Sequence, residues 1–62
     1  MKNLRKLRRA ADLTLQQVAE AIGVSYMTYW RWEHGEAEPG AKYVVPIANL
    51  FGVTCDELLK ED

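Results

Sequence analysis

The 62 residues include a single cysteine, a single histidine and only two prolines. One cysteine excludes an internal disulfide. With one histidine beside it, no residue set remains for a zinc centre. No apolar run approaches the ~18 residues of a membrane span, and no signal-peptide core precedes the first charged residues. These absences place the chain in the cytoplasm and off the membrane. A nucleophile–base pair is also missing, as is a phosphate-cradling glycine loop followed by Lys-Ser or Lys-Thr. The isolated carboxylates read as a solvated acidic face. No enzyme, cofactor, metal or small-molecule substrate is expected.

There is no excess of positive charge either: eight Lys and Arg against nine Asp and Glu leave a net charge of −1. That charge is polarised. Lys2, Arg5, Lys6, Arg8, Arg9 and Arg31 outweigh Asp12 and Glu20 in residues 1–32, a balance of +4. Residues 33–62 carry Lys42 and Lys60 against Glu33, Glu36, Glu38, Asp56, Glu57, Glu61 and Asp62, a balance of −5. A basic half suits a partner-facing side, and equally a solvated helix that aids solubility. The 48% of hydrophobic residues suits a globular chain. Its length predicts one domain over residues 1–62, near the lower end of what folds alone, so a dimer is plausible.

Hydrophobic spacing divides the chain into five helices and no strands, an all-α fold. Leu4, Leu7 and Ala11 make one apolar face of a first helix over residues 2–11. After Asp12-Leu13, Thr14-x-x-Gln17 fits a capping box, in which each side chain satisfies the other residue's backbone N–H. Leu15, Val18, Ala19 and Ile22 supply the buried stripe of this second helix, which ends at Gly23. Tyr26 to Glu33 form the third, closed by His34 and Gly35. The breakers Pro39 and Gly40 mark the loop that follows. A fourth helix is expected from about Lys42 to Phe51, with Val44, Ile47, Ala48 and Phe51 facing inward. Pro46 falls inside it and predicts a kinked or loosened first turn. After Gly52, Thr54-x-x-Glu57 is a second capping box, opening a fifth helix that carries Leu58 and Leu59.

The rest of the chain is organised around Ala19 to Glu33. Gly23 suits the left-handed residue that ends one helix, and Ser25 suits the N-cap that starts the next. Helix, short glycine turn and helix is the helix-turn-helix arrangement, whose second helix enters the DNA major groove. L-R-K-L-R at 4–8, L-T-L-Q-Q-V-A-E-A-I-G-V-S at 13–25, R-W-E-H-G at 31–35 and I-A-N-L-F-G-V-T-C-D-E-L-L at 47–59 carry a family resemblance. In this order and spacing they resemble the Cro and lambda-repressor type of helix-turn-helix domain, the XRE family, over almost the whole chain. The resemblance implies a compact five-helix, lambda-repressor-like domain with its helix-turn-helix at helices two and three. It also implies a cofactor-free regulator, commonly a repressor, that binds double-stranded DNA as a homodimer on a palindromic operator. Dimer contacts are expected from the region Phe51 to Leu59. With nothing after the fifth helix, no built-in ligand-sensing domain is expected.

Carried over residue by residue, the resemblance makes the third helix the recognition helix. Tyr26, Met27, Thr28 and Arg31 would lie nearest the bases, with Arg31 suited to a bidentate contact with guanine O6 and N7. Ser25, and the backbone amides that open helices two and three, would grip phosphates. Arg8 and Glu33 resemble the family's buried ion pair, although Arg8 also fits a surface cation. The chain departs from the pattern in the recognition helix, Y-M-T-Y-W-R-W. Tyr29 and Trp32 fall at core positions, which leaves Tyr26, Met27 and Trp30 expected on the surface. That patch suits contacts to thymine methyls and phosphates, or a protein partner as in an antirepressor or antitoxin-like module. Leu15 stands where the family often has a phosphate-binding glutamine; Gln16 is the candidate substitute, because Gln17 belongs to the cap. Glu36 and Glu38 make the following loop acidic rather than basic. His34 is a further phosphate candidate, and Cys55 is expected to be a small buried hydrophobe.

Overall fold

In a computed structural model, Met1 and residues 3–60 are described; the expected helix start at Lys2 lies outside the described residues. The elements are α1 (Leu4–Ala10), α2 (Leu15–Ile22), α3 (Tyr26–Glu33), a 3₁₀ turn at Ala41–Tyr43, α4 (Val44–Phe51) and α5 (Cys55–Leu59). Each of these helices is shorter than an isolated helix needs in water, so tertiary packing holds them. Leu4, Val18, Ala19, Tyr29, Trp32, Ile47, Ala48, Phe51 and Leu58 form one buried cluster, fed by all five helices.

Caps set most of the boundaries. Thr14 Oγ1 accepts from the Gln17 amide at 3.1 Å while Gln17 Oε1 accepts from the Thr14 amide at 2.9 Å. Thr54 and Glu57 repeat this at α5, at 3.0 Å in both directions. Gly23, Gly35 and Gly52 have φ of 80°, 74° and 71°, the left-handed conformation that closes a helix with little steric cost in glycine. At α3 the turn is sealed when the Glu36 amide donates to the Arg31 carbonyl at 3.0 Å. Asp12 takes the same role after α1 with a φ of 61°, although its Cβ disfavours that region by ~1–2 kcal/mol.

Pro46 is the third residue of α4, where its missing N–H removes no intrahelical bond; the 3₁₀ turn before it is the loosened entry the proline predicts. Trp32 links this entry to α3. Its ring meets Tyr29 edge-on at 6.0 Å between centroids and packs at 5.1 Å against Tyr43, the last residue of the 3₁₀ turn. Asn3 anchors the start of α1: it is buried, and its Nδ2 donates to the Glu57 carbonyl at 2.7 Å. Its own Oδ1 is buried without a partner.

Candidate functional site

The pair α2–α3 positions the candidate site. Val18 and Ala19 of α2 and Tyr29 and Trp32 of α3 are buried against the common core, so the opposite face of α3 is directed outward. At its N-terminus, Ser25 Oγ accepts from the Thr28 amide at 3.1 Å and its hydroxyl donates to Thr28 Oγ1 at 2.8 Å. Ser25 thus has its local donor and acceptor in use, whereas the Thr28 O–H is left to donate elsewhere.

Tyr26 and Met27 are 44% and 49% exposed, and Arg31 is exposed on the same outward side of the helix. Met27 and Arg31 are four residues apart and therefore stack along one column. Tyr26, Trp30 and His34 make the neighbouring column. Here the sequence expectation needs correction. Trp30 is half-buried, because its indole lies flat against the His34 ring, with centroids 3.8 Å apart and planes 15° apart. Stacking covers one face of the indole. The exposed apolar patch therefore contracts to Tyr26 and Met27.

At the other end of α3, Arg8 Nε donates to Glu33 Oε2 at 2.6 Å and Arg8 Nη2 to Oε1 at 3.3 Å. Arg8 Nη1 also donates to the Leu13 carbonyl at 2.8 Å. The two side chains are 13% and 1% exposed, so this pair is part of the interior. The bond to Glu33 holds the Arg8 guanidinium above its ordinary pKa, against an opposing effect of burial. Beside it, Tyr29 Oη is buried without a hydrogen-bond partner. Burial first, then the neighbouring Glu33 carboxylate, pushes the Tyr29 phenol well above the usual tyrosine range.

Gln16 is exposed at the start of α2, where its Nε2 donates to Glu20 Oε2 at 2.8 Å. An incoming phosphate would compete with that carboxylate for the same amide. Cys55 is half-buried and packs against the core cluster. Among the described residues, no three His, Cys, Asp or Glu side chains gather to hold a metal ion. No helix of the described residues is long and apolar enough to cross a membrane.

Sequence reasoning missed Arg5. It is exposed on α1, its Nη2 lies 3.4 Å from His34 Nε2, and its Nε lies 3.8 Å from Glu33 Oε1. The available signal was its spacing: Arg5 precedes Arg8 by three residues and so shares its helix face.

A helix-turn-helix family model matches residues 4–58. The chain is 38% identical over 58 residues to the uncharacterised HTH-type transcriptional regulator YqaE of Bacillus subtilis, covering 94% of this chain and 50% of that protein. It is 36% identical over 58 residues to the cryptic phage CTXphi transcriptional repressor RstR of Vibrio cholerae, covering 94% of this chain and 52% of the repressor. A third relative, an uncharacterised HTH-type transcriptional regulator of Methanocaldococcus jannaschii, is 37% identical over 59 residues, which are 94% of this chain and 89% of that protein. The chain spans about half the length of most of the curated relatives it matches. No solved structure matches it significantly.

Proposed function

The chain belongs to the helix-turn-helix family of the Cro and lambda-repressor type, and from that premise we propose that it is a sequence-specific DNA-binding repressor. In this reading residues 1–62 act as one helix-turn-helix domain in the cytoplasm, and two copies bind a palindromic operator with α3 in the major groove. The observation that carries it is the outward face of α3, where Met27 and Arg31 stand in one exposed column beside Tyr26. Arg31 reads guanine through O6 and N7, and Met27 and Tyr26 make apolar contact with thymine methyls. The Thr28 hydroxyl and the amides that open α2 and α3 hold phosphates. Gln16 and His34 extend those backbone contacts, and Ser25 keeps the opening turn of α3 in shape.

The rival reading gives the Tyr26/Met27/Trp30 surface to a protein partner. It loses ground because Trp30 is stacked on His34, which leaves two exposed apolar side chains rather than three. Such a patch is small for a protein-interface hot spot.

Selection from a randomised duplex library at about 50 mM and about 200 mM salt tests the proposal. Enrichment of a palindrome is expected, with affinity dropping about 10³–10⁵-fold across that range if six to ten phosphates are contacted. Arg31→Ala is expected to cost about 1–3 kcal/mol of discrimination at one guanine, leaving other positions unchanged. Failure to enrich any sequence at either salt would overturn the DNA reading and leave the protein-partner reading.

A further inference from the structure

We propose that the indole N–H of Trp30 is a backbone contact of the recognition helix, donating to one phosphodiester oxygen in each half-site from a ring that His34 holds in place. This rests on the DNA-binding reading above and names the donor through which the end of α3 meets the backbone.

The donor of Trp30 is not used inside the protein. An indole nitrogen donates and never accepts. Trp30 Nε1 makes no hydrogen bond among the described residues. It is also not one of the buried unpaired side-chain atoms there, which are Asn3 Oδ1 and Tyr29 Oη, so it opens to solvent. The ring that carries it is half-buried.

That ring is held. It lies flat on the His34 imidazole, with centroids 3.8 Å apart and planes 15° apart. The imidazole is in turn engaged at both nitrogens. Its Nδ1 is 2.9 Å from the Trp30 carbonyl oxygen, which only accepts, so Nδ1 is assigned the hydrogen. Its Nε2 then accepts from Arg5 Nη2 at 3.4 Å. Donor and acceptor are satisfied in the neutral ring, and the stack needs no added proton. His34 and Arg5 are positioning residues here, acting through the indole they hold.

Trp30 stands on a flank of α3 rather than over the bases. Each residue turns a helix by about 100°, so Trp30 is about 100° around the axis from Arg31. With the Met27–Arg31 column over the base edges, the Tyr26–Trp30–His34 column lies on the flank where Arg8 and Arg5 of α1 reach Glu33 and His34. The flanks of a helix seated in the major groove face sugar and phosphate. Docking there strips water from the half-buried indole, and an N–H that loses its water needs an acceptor. A phosphodiester oxygen is an acceptor that the groove wall offers at every step, whatever the sequence.

The test compares wild type with Trp30→Phe on the duplex enriched by the selection, remade with one phosphodiester at a time replaced by an uncharged methylphosphonate. The variant keeps an aromatic ring for the stack and loses the N–H. It is expected to bind the unmodified duplex about tenfold more weakly, with the same sequence preference. The salt slope stays the same, because a neutral donor releases no counterion. At one phosphate in each half-site the methylphosphonate weakens wild type about tenfold and the variant hardly at all, while elsewhere the two respond alike. The wild-type Trp30 Nε1–H proton resonance gives a second reading that needs no variant. It becomes protected from water exchange on the duplex and loses that protection when the same phosphate is replaced. A Trp30 N–H that still exchanges freely in the complex, or a variant that matches wild type on every duplex, overturns the proposal while leaving DNA binding intact. A loss that depends on which base pair is changed moves the N–H to a base edge and overturns the backbone contact. Failure to bind any duplex overturns the DNA-binding reading and this inference with it.

Discussion

Tyr29 places a hydroxyl in the interior with no hydrogen-bond partner, next to a carboxylate that is already committed to Arg8. An unpaired buried hydroxyl opposes folding, so Tyr29→Phe is expected to stabilise the domain by about 1 kcal/mol in denaturant unfolding. The same phenol makes stability depend on alkaline pH. Burial holds its pKa above the unfolded value, so above about pH 10 the unfolded chain loses a proton that the folded chain keeps. Stability is therefore intact below that pH and falls by about 1.4 kcal/mol per pH unit above it. Tyr29→Phe should lose that part of the slope, measured as urea midpoints between about pH 9 and pH 11. An unchanged alkaline slope in the variant would locate the titration elsewhere.

The first helix has little reason of its own to be helical. It spans seven residues, its N-cap Asn3 makes no side-chain cap, and its closing residue Asp12 is in a left-handed conformation. Leu4 in the core and Arg8 on Glu33 hold it in place. Removing Arg8 strands a buried carboxylate, which typically costs ~3–5 kcal/mol. A domain of this length has about 3–9 kcal/mol in total. Arg8→Ala is accordingly expected to unfold most of the population near 37 °C, with loss of helical circular dichroism as the readout. Arg8→Lys should recover only part of the loss, because one ammonium cannot meet both Glu33 oxygens and the Leu13 carbonyl in the guanidinium's planar geometry. A cost under about 1 kcal/mol for Arg8→Ala would mean that the pair behaves like a solvent-exposed one.

The folded domain measures 25 × 22 × 20 Å, and under the proposed DNA-binding reading its described residues present a single recognition helix, α3. Adjacent half-sites on one face of DNA lie ~34–36 Å apart, so one copy cannot read both halves of a palindrome, while two copies side by side are of the right size. The two C-terminal helices, which pack on each other, leave Val45 and Leu59 55% and 51% exposed. Under the proposed dimer, Leu59→Glu should leave monomer stability within about 0.5 kcal/mol, as for an ordinary surface change. Binding to a palindromic duplex should weaken by about 10²-fold or more, the advantage of tethering two sites, while binding to a single half-site stays the same. Band shifts on the two duplexes, with sedimentation of the bound complexes, measure both effects. Equal weakening on both duplexes would place Leu59 outside a dimer contact.

The features legible from residue order alone were local. Thr14 with Gln17 and Thr54 with Glu57 cap helices through bonds that span three residues, and Gly23, Gly35 and Gly52 end them through a backbone conformation that glycine adopts freely. These interactions are complete within one turn of chain, so the five helices and the helix-turn-helix could be read before any folding was considered. Of the contacts between distant segments, the Arg8–Glu33 pair was legible through the family resemblance alone, and packing set the rest. The tertiary structure turned Trp30 onto His34, brought Arg5 across 29 residues to the same ring, and tied Asn3 to the Glu57 carbonyl 54 residues away. Such contacts depend on how α1 docks against α3 and α5, which packing of the common core sets and which no short sequence window contains.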